Sequence, residues 1–193
     1  MPTLSAVKYL KTNELELIKS CQHGDMTAFN KLVEKYKTNV FNICYRFLGN
    51  MHDAEDCAQD IFIKLYYSIH KFKGESLFST WLYRITINCC INKSNLLNRR
   101  SKKISTAMNC VENIKDQSIP VIDSLALKEK AGIIQNEINK LPDECKTVLI
   151  LRDIQGYSYK DVSKISGCKL GTVKSRLTRA RNILKERLKG IVI

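Results

Sequence analysis

Apolar residues in this 193-residue sequence recur every three or four positions and nowhere alternate with polar residues at period two. The clearest run starts at Asp25 and ends at Gly49-Asn50. Its apolar members are Phe29, Val33, Tyr36, Val40, Ile43 and Phe47. Residues at this spacing share one face of an α-helix, whereas a half-buried β-strand needs strict alternation. The sequence therefore predicts an all-α protein with this run as a core helix.

The stretch from Tyr157 to Leu188 predicts two helices separated by a tight turn. Ser158 followed three residues later by Asp161 is a capping box, and Gly167 ends the first helix. The apolar residues of the second helix form one narrow stripe, made of Val173, Leu177, Ala180, Leu184 and Leu188. This pattern is typical of a helix-turn-helix, whose second helix enters the DNA major groove.

The opposite arc of that second helix is basic and polar. It carries Lys174, Ser175, Thr178, Arg179 and Asn182. From Lys169 to Lys189 there are eight Lys or Arg residues against one acid, Glu186. Such residues attract DNA phosphates and pair with base edges, so the pattern favours DNA binding. The alternative is a solvated basic face on an ordinary surface helix.

An acidic helix is predicted over Asp53–Tyr66. Its inward face is made of Ala54, Ala58, Ile61 and Leu65. Asp53 is placed to cap this helix, and the helix dipole favours acids in the first turn. That reason does not extend to Gln59, Asp60 and an outward-facing Phe62, which lie further along. We interpret this patch as a protein-docking surface.

Aromatic and basic residues are mixed in the next segment. Gly and Ser predict a loop over Lys71–Phe78, and a helix is expected over Ser79–Asn98. The aromatic members are Phe72, Phe78, Trp81 and Tyr83, and the basic ones are Lys71, Lys73 and Arg84. Cations that follow a phosphate backbone and rings that stack on unpaired bases suit single-stranded nucleic acid. Alternatively, Trp81 and the two Phe residues belong to the core.

A polar stretch over 99–124 interrupts the helical period. We therefore expect two domains, residues 13–100 and 125–190, joined by a flexible linker over 101–124. The first helix of the second domain has an inward face of Leu127, Ala131, Ile134, Ile138 and Leu141. Pro142 starts the following helix. Its inward residues are Cys145, Val148, Leu149 and Ile154.

The net charge of +13 is spread over both halves of the chain, which suggests two contacts with an acidic polymer. There is no signal peptide and no apolar run near the roughly 18 residues that a membrane span needs. We therefore expect a cytoplasmic protein. The three histidines, His23, His52 and His70, have no partner pattern of an active site, so we expect no catalysis.

Eight cysteines are present, and none forms a C-x-x-C pair. Without ligands at that spacing the sequence predicts neither a metal site nor a cofactor. Most of the thiols fall within apolar helical patterns, so we expect them to be reduced and buried. A thiol-based redox sensor is the alternative, with Cys89, Cys90 and Cys168 as its candidate residues.

Three stretches together resemble one protein family: DAEDCAQDIF from Asp53, FSTWLYRITIN from Phe78, and GYSYKDVSKISGCKLGTVKSRLTRAR from Gly156. In this order and at these separations the chain resembles the bacterial sigma factors of RNA polymerase. The closest similarity is to the extracytoplasmic-function (ECF) group of the sigma-70 family. The resemblance implies two helical domains, sigma region 2 and sigma region 4, with a flexible linker and no catalytic activity.

The resemblance also implies partners. They are core RNA polymerase, through its β′ clamp helices and β flap, then promoter DNA, and an anti-sigma factor. The residues matching the family's polymerase-docking positions are Asp53, Glu55, Asp56, Gln59, Asp60 and Phe62. Those matching the segment that reads and melts the −10 element are Phe72, Lys73, Ser79, Thr80, Trp81, Tyr83, Arg84 and Asn88. Those matching the readers of the −35 duplex are Arg152, Gly171, Thr172, Lys174, Ser175, Arg176, Thr178 and Arg179.

The sequence departs from the family pattern at Lys169, where a Ser or similar capping residue is common. Its absence weakens the cap of the second helix by about 1 kcal/mol and adds a cation near the groove. A stand-alone helix-turn-helix regulator, which would bind its operator as a dimer, is the alternative class. That interpretation gives no role to the acidic helix or to the Phe72–Trp81 loop.

Overall fold

The computed structural model describes residues 4–107 and 125–189, with side chains over 13–100 and 130–189. These residues form helices and no strand, which confirms the all-α prediction. The α-helices are α1 (Leu4–Gln22), α2 (Met26–Leu48), α3 (Met51–Ser68), α4 (Phe78–Ala107), α5 (Leu125–Asn139), α6 (Asp143–Leu149), α7 (Tyr159–Ser166) and α8 (Leu170–Leu188). None of these described helices is both long and apolar enough to cross a membrane.

Helix α2 is the centre of the first domain and packs against α1, α3 and α4. Asp25 caps it, because its Oδ1 accepts hydrogen bonds from the N–H groups of Thr27 (2.8 Å) and Ala28 (3.1 Å). Its predicted inward face is confirmed. Phe29, Tyr36, Val40, Ile43 and Phe47 are buried, and Val33 is half-buried.

Helix α3 begins at Met51, so the prediction that Asp53 caps it is wrong. The cap is Asn50, whose Oδ1 accepts a hydrogen bond of 2.9 Å from the N–H of Asp53. Gly49, with φ of +77°, ends α2 in the left-handed conformation and leaves Asn50 extended at the cap position. Asp53 instead lies in the first turn, where the helix dipole favours a carboxylate.

Helix α4 is longer than predicted. A 3-10 turn at Ile69–Lys71 and a short loop precede it, and it begins at Phe78. It passes the predicted end at Asn98 and continues to Ala107. Arg, Lys and Ala are good helix formers, so the loss of apolar periodicity does not end the helix. The predicted linker is thus helical up to Ala107, and its residues 108–124 lie outside the described chain.

The second domain is built from α5 to α8, with a π-helical turn, Ile150–Ile154, extending α6. Ile138, Leu141, Cys145, Val148 and Leu149 are buried as predicted. Three further residues expected to face inward are exposed instead, namely Ala131, Ile134 and Ile154. Helix α5 packs against α2 and α8 through the face that carries Gln135 and Ile138. The π turn has more residues per turn than an α-helix, and this rotates Ile154 away from the inward face. Leu127 has no described side chain.

The predicted helix-turn-helix is formed by α7 and α8. The Ser158 hydroxyl accepts a hydrogen bond from the Asp161 N–H (3.2 Å) and donates one to the Asp161 carboxylate (2.6 Å). Gly167 ends α7 with φ of +68°. The apolar stripe of α8 is buried at Val173, Leu177 and Ala180 and half-buried at Leu184 and Leu188.

The two domains pack directly against each other. Arg46 of α2 donates from Nη1 to Gln135 Oε1 (3.2 Å), and Gln135 Nε2 donates back to the Arg46 carbonyl (3.0 Å). The buried ammonium of Lys146 lies 4.9 Å from the centre of the Phe47 ring. A second contact joins α4 to α7. This packing decides which of the predicted site residues are accessible.

Candidate nucleic-acid and partner interfaces

Helix α8 presents a continuous basic and polar face to solvent. Lys174, Ser175, Thr178 and Arg179 are exposed, on the side opposite the buried stripe. Within the described chain, neither Lys174 nor Arg179 has an acidic partner. Two unpaired cations beside two hydroxyls provide donors for both phosphates and base edges.

The first turn of α8 is open. Gly171 is exposed, and a Cβ placed on it would meet nothing within 4 Å. Thr172 is half-buried beside it. Lys169 occupies the N-cap position without a side-chain hydrogen bond to the helix, as its sequence predicts. The first turn therefore carries N–H groups without a side-chain cap, at the end where the helix dipole attracts anions.

Two predicted −35 residues are held by contacts inside the second domain. Arg152 donates from Nη1 to the Tyr157 carbonyl (2.8 Å) and lies 4.6 Å from the centre of the Tyr159 ring. Arg176 forms an ion pair of 2.7 Å with Glu144. Both side chains are half-buried. Arg176 braces α8 against α6, and Arg152 braces the start of α7, so both are less free than Lys174 and Arg179.

Helix α3 presents the predicted acidic face. Glu55, Gln59 and Asp60 are exposed, whereas Asp53 and Asp56 are half-buried. The Asp56 carboxylate lies 3.5 Å from the Lys93 ammonium of α4. We define the acidic face as Asp53, Glu55, Asp56, Gln59 and Asp60.

Phe62 was predicted to face outward, but it is half-buried and packs against the core. The exposed apolar residues of α3 are instead Ile63, Tyr66 and Tyr67, which sequence reasoning missed. Tyr67 is 72% exposed and packs edge-on against Tyr66 at 5.5 Å. All three fall outside the buried stripe, which is the signal that could have identified them. They continue the acidic face with an apolar surface.

The aromatic residues around the loop divide into core and surface. Phe72 and Phe78 are buried, with ring centres 5.3 Å apart, so the core interpretation holds for both. The ring centre of Trp81 lies 5.4 Å from that of Phe72 and 5.9 Å from that of Phe78, and Trp81 is half-buried. Among the other predicted −10 residues, Thr80 is buried, Ser79 is half-buried, and Lys73 and Asn88 are exposed.

The remaining two predicted −10 residues touch the second domain. Tyr83 is buried, with its ring centre 5.4 Å from that of Tyr157. Burial, together with a hydrogen bond to Tyr83, raises the pKa of Tyr157 well above its usual range. Arg84 donates from Nη2 to the Lys164 carbonyl of α7 at 2.5 Å. One side of α4 near its N-terminus is therefore covered by the helix-turn-helix.

The described cysteines are reduced and mostly buried, as expected. Cys89 and Cys168 are half-buried, and the sequence position Cys110 lies outside the described residues. Burial raises the pKa of the Cys89 thiol, which disfavours the thiolate that a redox sensor needs. Hydrogen bonds from Cys44 and Cys90 lower the pKa of Cys57, which is itself buried.

A helix-turn-helix with a basic second helix, joined to a second helical domain with an acidic face, defines a DNA-binding protein that also docks on a protein partner. Models of known protein families match each of the two domains. The model of Sigma-70 region 2 matches residues 32–101, and that of Sigma-70, region 4 matches residues 131–184.

Curated relatives match over nearly their whole length. The chain is 35% identical over 182 residues to the ECF RNA polymerase sigma-E factor of Haemophilus influenzae, covering 91% of this chain and 95% of that protein. It is 35% identical over 184 residues to the ECF RNA polymerase sigma factor SigW of Bacillus subtilis, covering 90% and 96%. The chain therefore belongs to the sigma-70 family and to its ECF sigma factors.

A solved structure shares the architecture. The sigma factor RpoE of Bartonella quintana, determined in complex with the anti-sigma factor NepR, is 25% identical, with a TM-score of 0.64. The match covers 84% of this chain and 97% of that one. The two-domain helical fold is thus that of a sigma factor.

Proposed function

We propose that this protein binds core RNA polymerase through α3 and directs it to promoters that α4 and α8 read. The observation that carries the proposal is that one chain has two separate surfaces of opposite charge. They are the exposed acidic face of α3 and the cations Lys174 and Arg179 on α8, which have no acidic partner in the described chain. A sigma factor needs both surfaces, because it connects a protein partner to DNA.

The −35 reader in this proposal is the N-terminal half of α8 in the major groove. Lys174, Ser175, Thr178 and Arg179 reach base edges or phosphates, and the open first turn at Gly171 and Thr172 receives a phosphate. Arg176 acts mainly by holding α8 against α6 and Arg152 by holding the start of α7, since both have internal partners. The −35 residues named from the sequence thus divide into contacting and bracing groups.

The −10 reader is the N-terminal part of α4 with the preceding loop. Lys73, Ser79, Trp81, Arg84 and Asn88 supply its solvent-facing groups, and single-stranded DNA follows the cations. The buried Phe72, Thr80 and Tyr83 shape the base pocket from below. Flipping a base costs a few kcal/mol, which pocket contacts offset.

The polymerase-docking surface is the acidic face of α3 with Phe62, extended by Ile63, Tyr66 and Tyr67. Charged residues next to exposed apolar groups are a composition typical of a protein interface. We assign this surface to the β′ clamp helices and a part of the second domain to the β flap. Because the chain works with polymerase on DNA, we place it in the bacterial cytoplasm and propose that it has no catalytic activity of its own.

Promoter reading at −10 requires the α4–α7 contact to open, since Arg84 donates to Lys164 there. We propose that an anti-sigma factor regulates this chain by binding its two domains. The solved complex of RpoE with NepR supports a partner of this kind.

Run-off transcription tests the proposal. Purified protein, core RNA polymerase and a genomic promoter library are combined, and specific starts are expected only when the protein is added. A Lys174→Ala/Arg179→Ala variant should lose most of those starts, whereas Lys185→Ala, on the same helix, should keep them. Starts that do not depend on the added protein would exclude the proposal. Tight specific binding of duplex DNA without polymerase would favour a stand-alone regulator.

A further inference from the structure

Three cysteines that are far apart in the sequence meet in the core of the first domain. Cys44 lies on α2, Cys57 on α3 and Cys90 on α4, so each of three helices contributes one thiol. Their three Sγ atoms all lie within 4.8 Å of one another, and those of Cys44 and Cys90 are 3.7 Å apart. All three side chains are at most 2% exposed.

These distances fit metal coordination. Three sulphur atoms bound to one ion at about 2.3 Å in a trigonal plane are about 4 Å apart, which is within the range of the observed cluster. No disulfide joins these thiols. One ion could therefore be held with sub-ångström shifts of the side chains.

The number and kind of ligands select the ion. Thiolates prefer soft cations such as Cu(I), Zn(II) and iron in clusters. Structural zinc sites are almost always four-coordinate. Across the described residues, no fourth His, Cys, Asp or Glu completes the group. Burial of the cluster excludes water as a fourth ligand, so a cation that accepts three sulphur ligands fits best.

Two cationic side chains near the cluster favour negatively charged sulphur ligands. Three thiolates with one monovalent ion carry two net negative charges. Two lysines are close enough for their charges to act on the thiols: Lys93 on Cys57 and the buried Lys146 on Cys90. Each ammonium also faces a carboxylate, Lys93 that of Asp56 and Lys146 that of Asp143, so the lysines lower the cost of the buried charge without neutralising it.

We propose that Cys44, Cys57 and Cys90 form a trigonal thiolate site for one Cu(I) ion. The ion would tie α2, α3 and α4 together in the middle of the first domain. Cys57 directly follows Asp56, whose carboxylate pairs with Lys93, so the ion would lie beneath the acidic face. The site is independent of the proposed DNA and polymerase contacts. It also goes against the expectation of no metal site, which rested on spacing along the sequence.

Metal binding to the reduced full-length protein tests the site. Cu(I) is titrated against a chromophoric Cu(I) chelator to give the affinity. X-ray absorption spectroscopy at the copper edge gives the number of sulphur ligands. Cys57→Ala and Cys90→Ala remove ligands. Cys145→Ala is the matched control, because Cys145 is also 2% exposed but lies outside the cluster. Circular dichroism of each variant checks its fold.

The expected result is one tightly held Cu(I) per chain with three sulphur ligands, in the wild type and in Cys145→Ala. Loss of a direct ligand should lower the affinity by more than the roughly 100-fold that marks the loss of an outer partner. One equivalent of Cu(I) should raise the thermal midpoint of the wild type but not of Cys57→Ala.

Equal Cu(I) affinity in Cys57→Ala and Cys145→Ala would overturn the proposal, since other thiols would then be the ligands. A two-sulphur copper spectrum in the wild type would also overturn it, even if the ligand variants fail to fold. So would Zn(II) displacing Cu(I) from the wild type at equal concentration.

Discussion

Single residues at helix ends fix how the two domains meet. Gly49 ends α2 with φ of +77°, and the side chain of Asn139 from α5 fills the space next to its Cα. A Cβ on Gly49 would lie 1.8 Å from Asn139 Nδ2. The glycine is thus required twice, for its backbone conformation and for the approach of the second domain.

Gly49→Ala should therefore destabilise the protein more than a comparable glycine substitution. The left-handed conformation alone costs about 1–2 kcal/mol for a residue with a Cβ. Gly167→Ala is the control, since Gly167 ends α7 with φ of +68° and has open space around it. Chemical denaturation should show a larger loss for Gly49→Ala. Equal losses would mean that the contact with Asn139 contributes nothing.

Two single residues of α8, the unpaired cations Lys174 and Arg179, should dominate −35 recognition. Lys174→Ala or Arg179→Ala should cost about 1–3 kcal/mol in promoter binding and relax sequence preference. Binding is measured with the polymerase holoenzyme on promoters with single −35 substitutions. A uniform loss over all sequences would show that these side chains contact only phosphates. Arg181→Ala is the control, because Arg181 pairs with Asp153 at 2.7 Å.

Helix α3 uses one face for packing and the opposite face for the proposed docking on polymerase. Its buried stripe packs on α2 and α4, and its exposed side is acidic along the first half and apolar along the second. Asp56 and Asp60 differ in their surroundings, since Asp56 pairs with Lys93 and Asp60 is fully on the surface. A charge reversal at Asp60 therefore tests docking without disturbing the packing of α3 against α4.

Asp60→Arg should weaken binding to core RNA polymerase by about tenfold, or roughly 1.4 kcal/mol, with an unchanged thermal midpoint. Asp56→Arg should weaken binding too, but it also places a cation opposite Lys93 and should lower stability. Glu34→Arg, at an exposed acid of α2, is the control. Unchanged co-purification of Asp60→Arg with core polymerase would contradict the assignment of this face.

For the whole molecule, the packing of the two domains controls access to the −10 surface. Gln135 is 6% exposed and exchanges two hydrogen bonds with Arg46 of the first domain. The α4–α7 contact covers Tyr83 and engages Arg84. Separation of the domains would free both residues for DNA.

Gln135→Ala should weaken this packing by about 1–3 kcal/mol, because it leaves Arg46 with unsatisfied groups. The population of separated domains then rises, and with it the affinity of the isolated chain for single-stranded −10 DNA. Fluorescence energy transfer between labels on α2 and α8 gives the separation, and anisotropy gives the affinity. Asn136→Ala, at an exposed neighbour on α5, should change neither. A Gln135→Ala chain whose domains stay together but which binds −10 DNA more tightly would refute the link between domain separation and DNA binding.

Sequence alone determined that the chain is helical and which faces of α2 and α8 are buried. The α2 stripe, the capping box at Ser158, the turn at Gly167 and the basic arc of α8 follow from contacts three or four residues apart, which spacing reports directly. The same local reasoning placed the cap of α3 at Asp53 and ended α4 at Asn98. It failed there because a cap depends on the preceding turn and because a helix continues wherever propensity allows.

Only the tertiary structure decided which site residues are free. Arg176, Tyr83 and Arg84 are residues of types that contact DNA, but each is held by a partner far away in the sequence. The meeting of Cys44, Cys57 and Cys90 likewise depends on how three helices pack. Contacts between residues distant in sequence leave no mark on local periodicity, since the period reports which face is buried and not what lies against it.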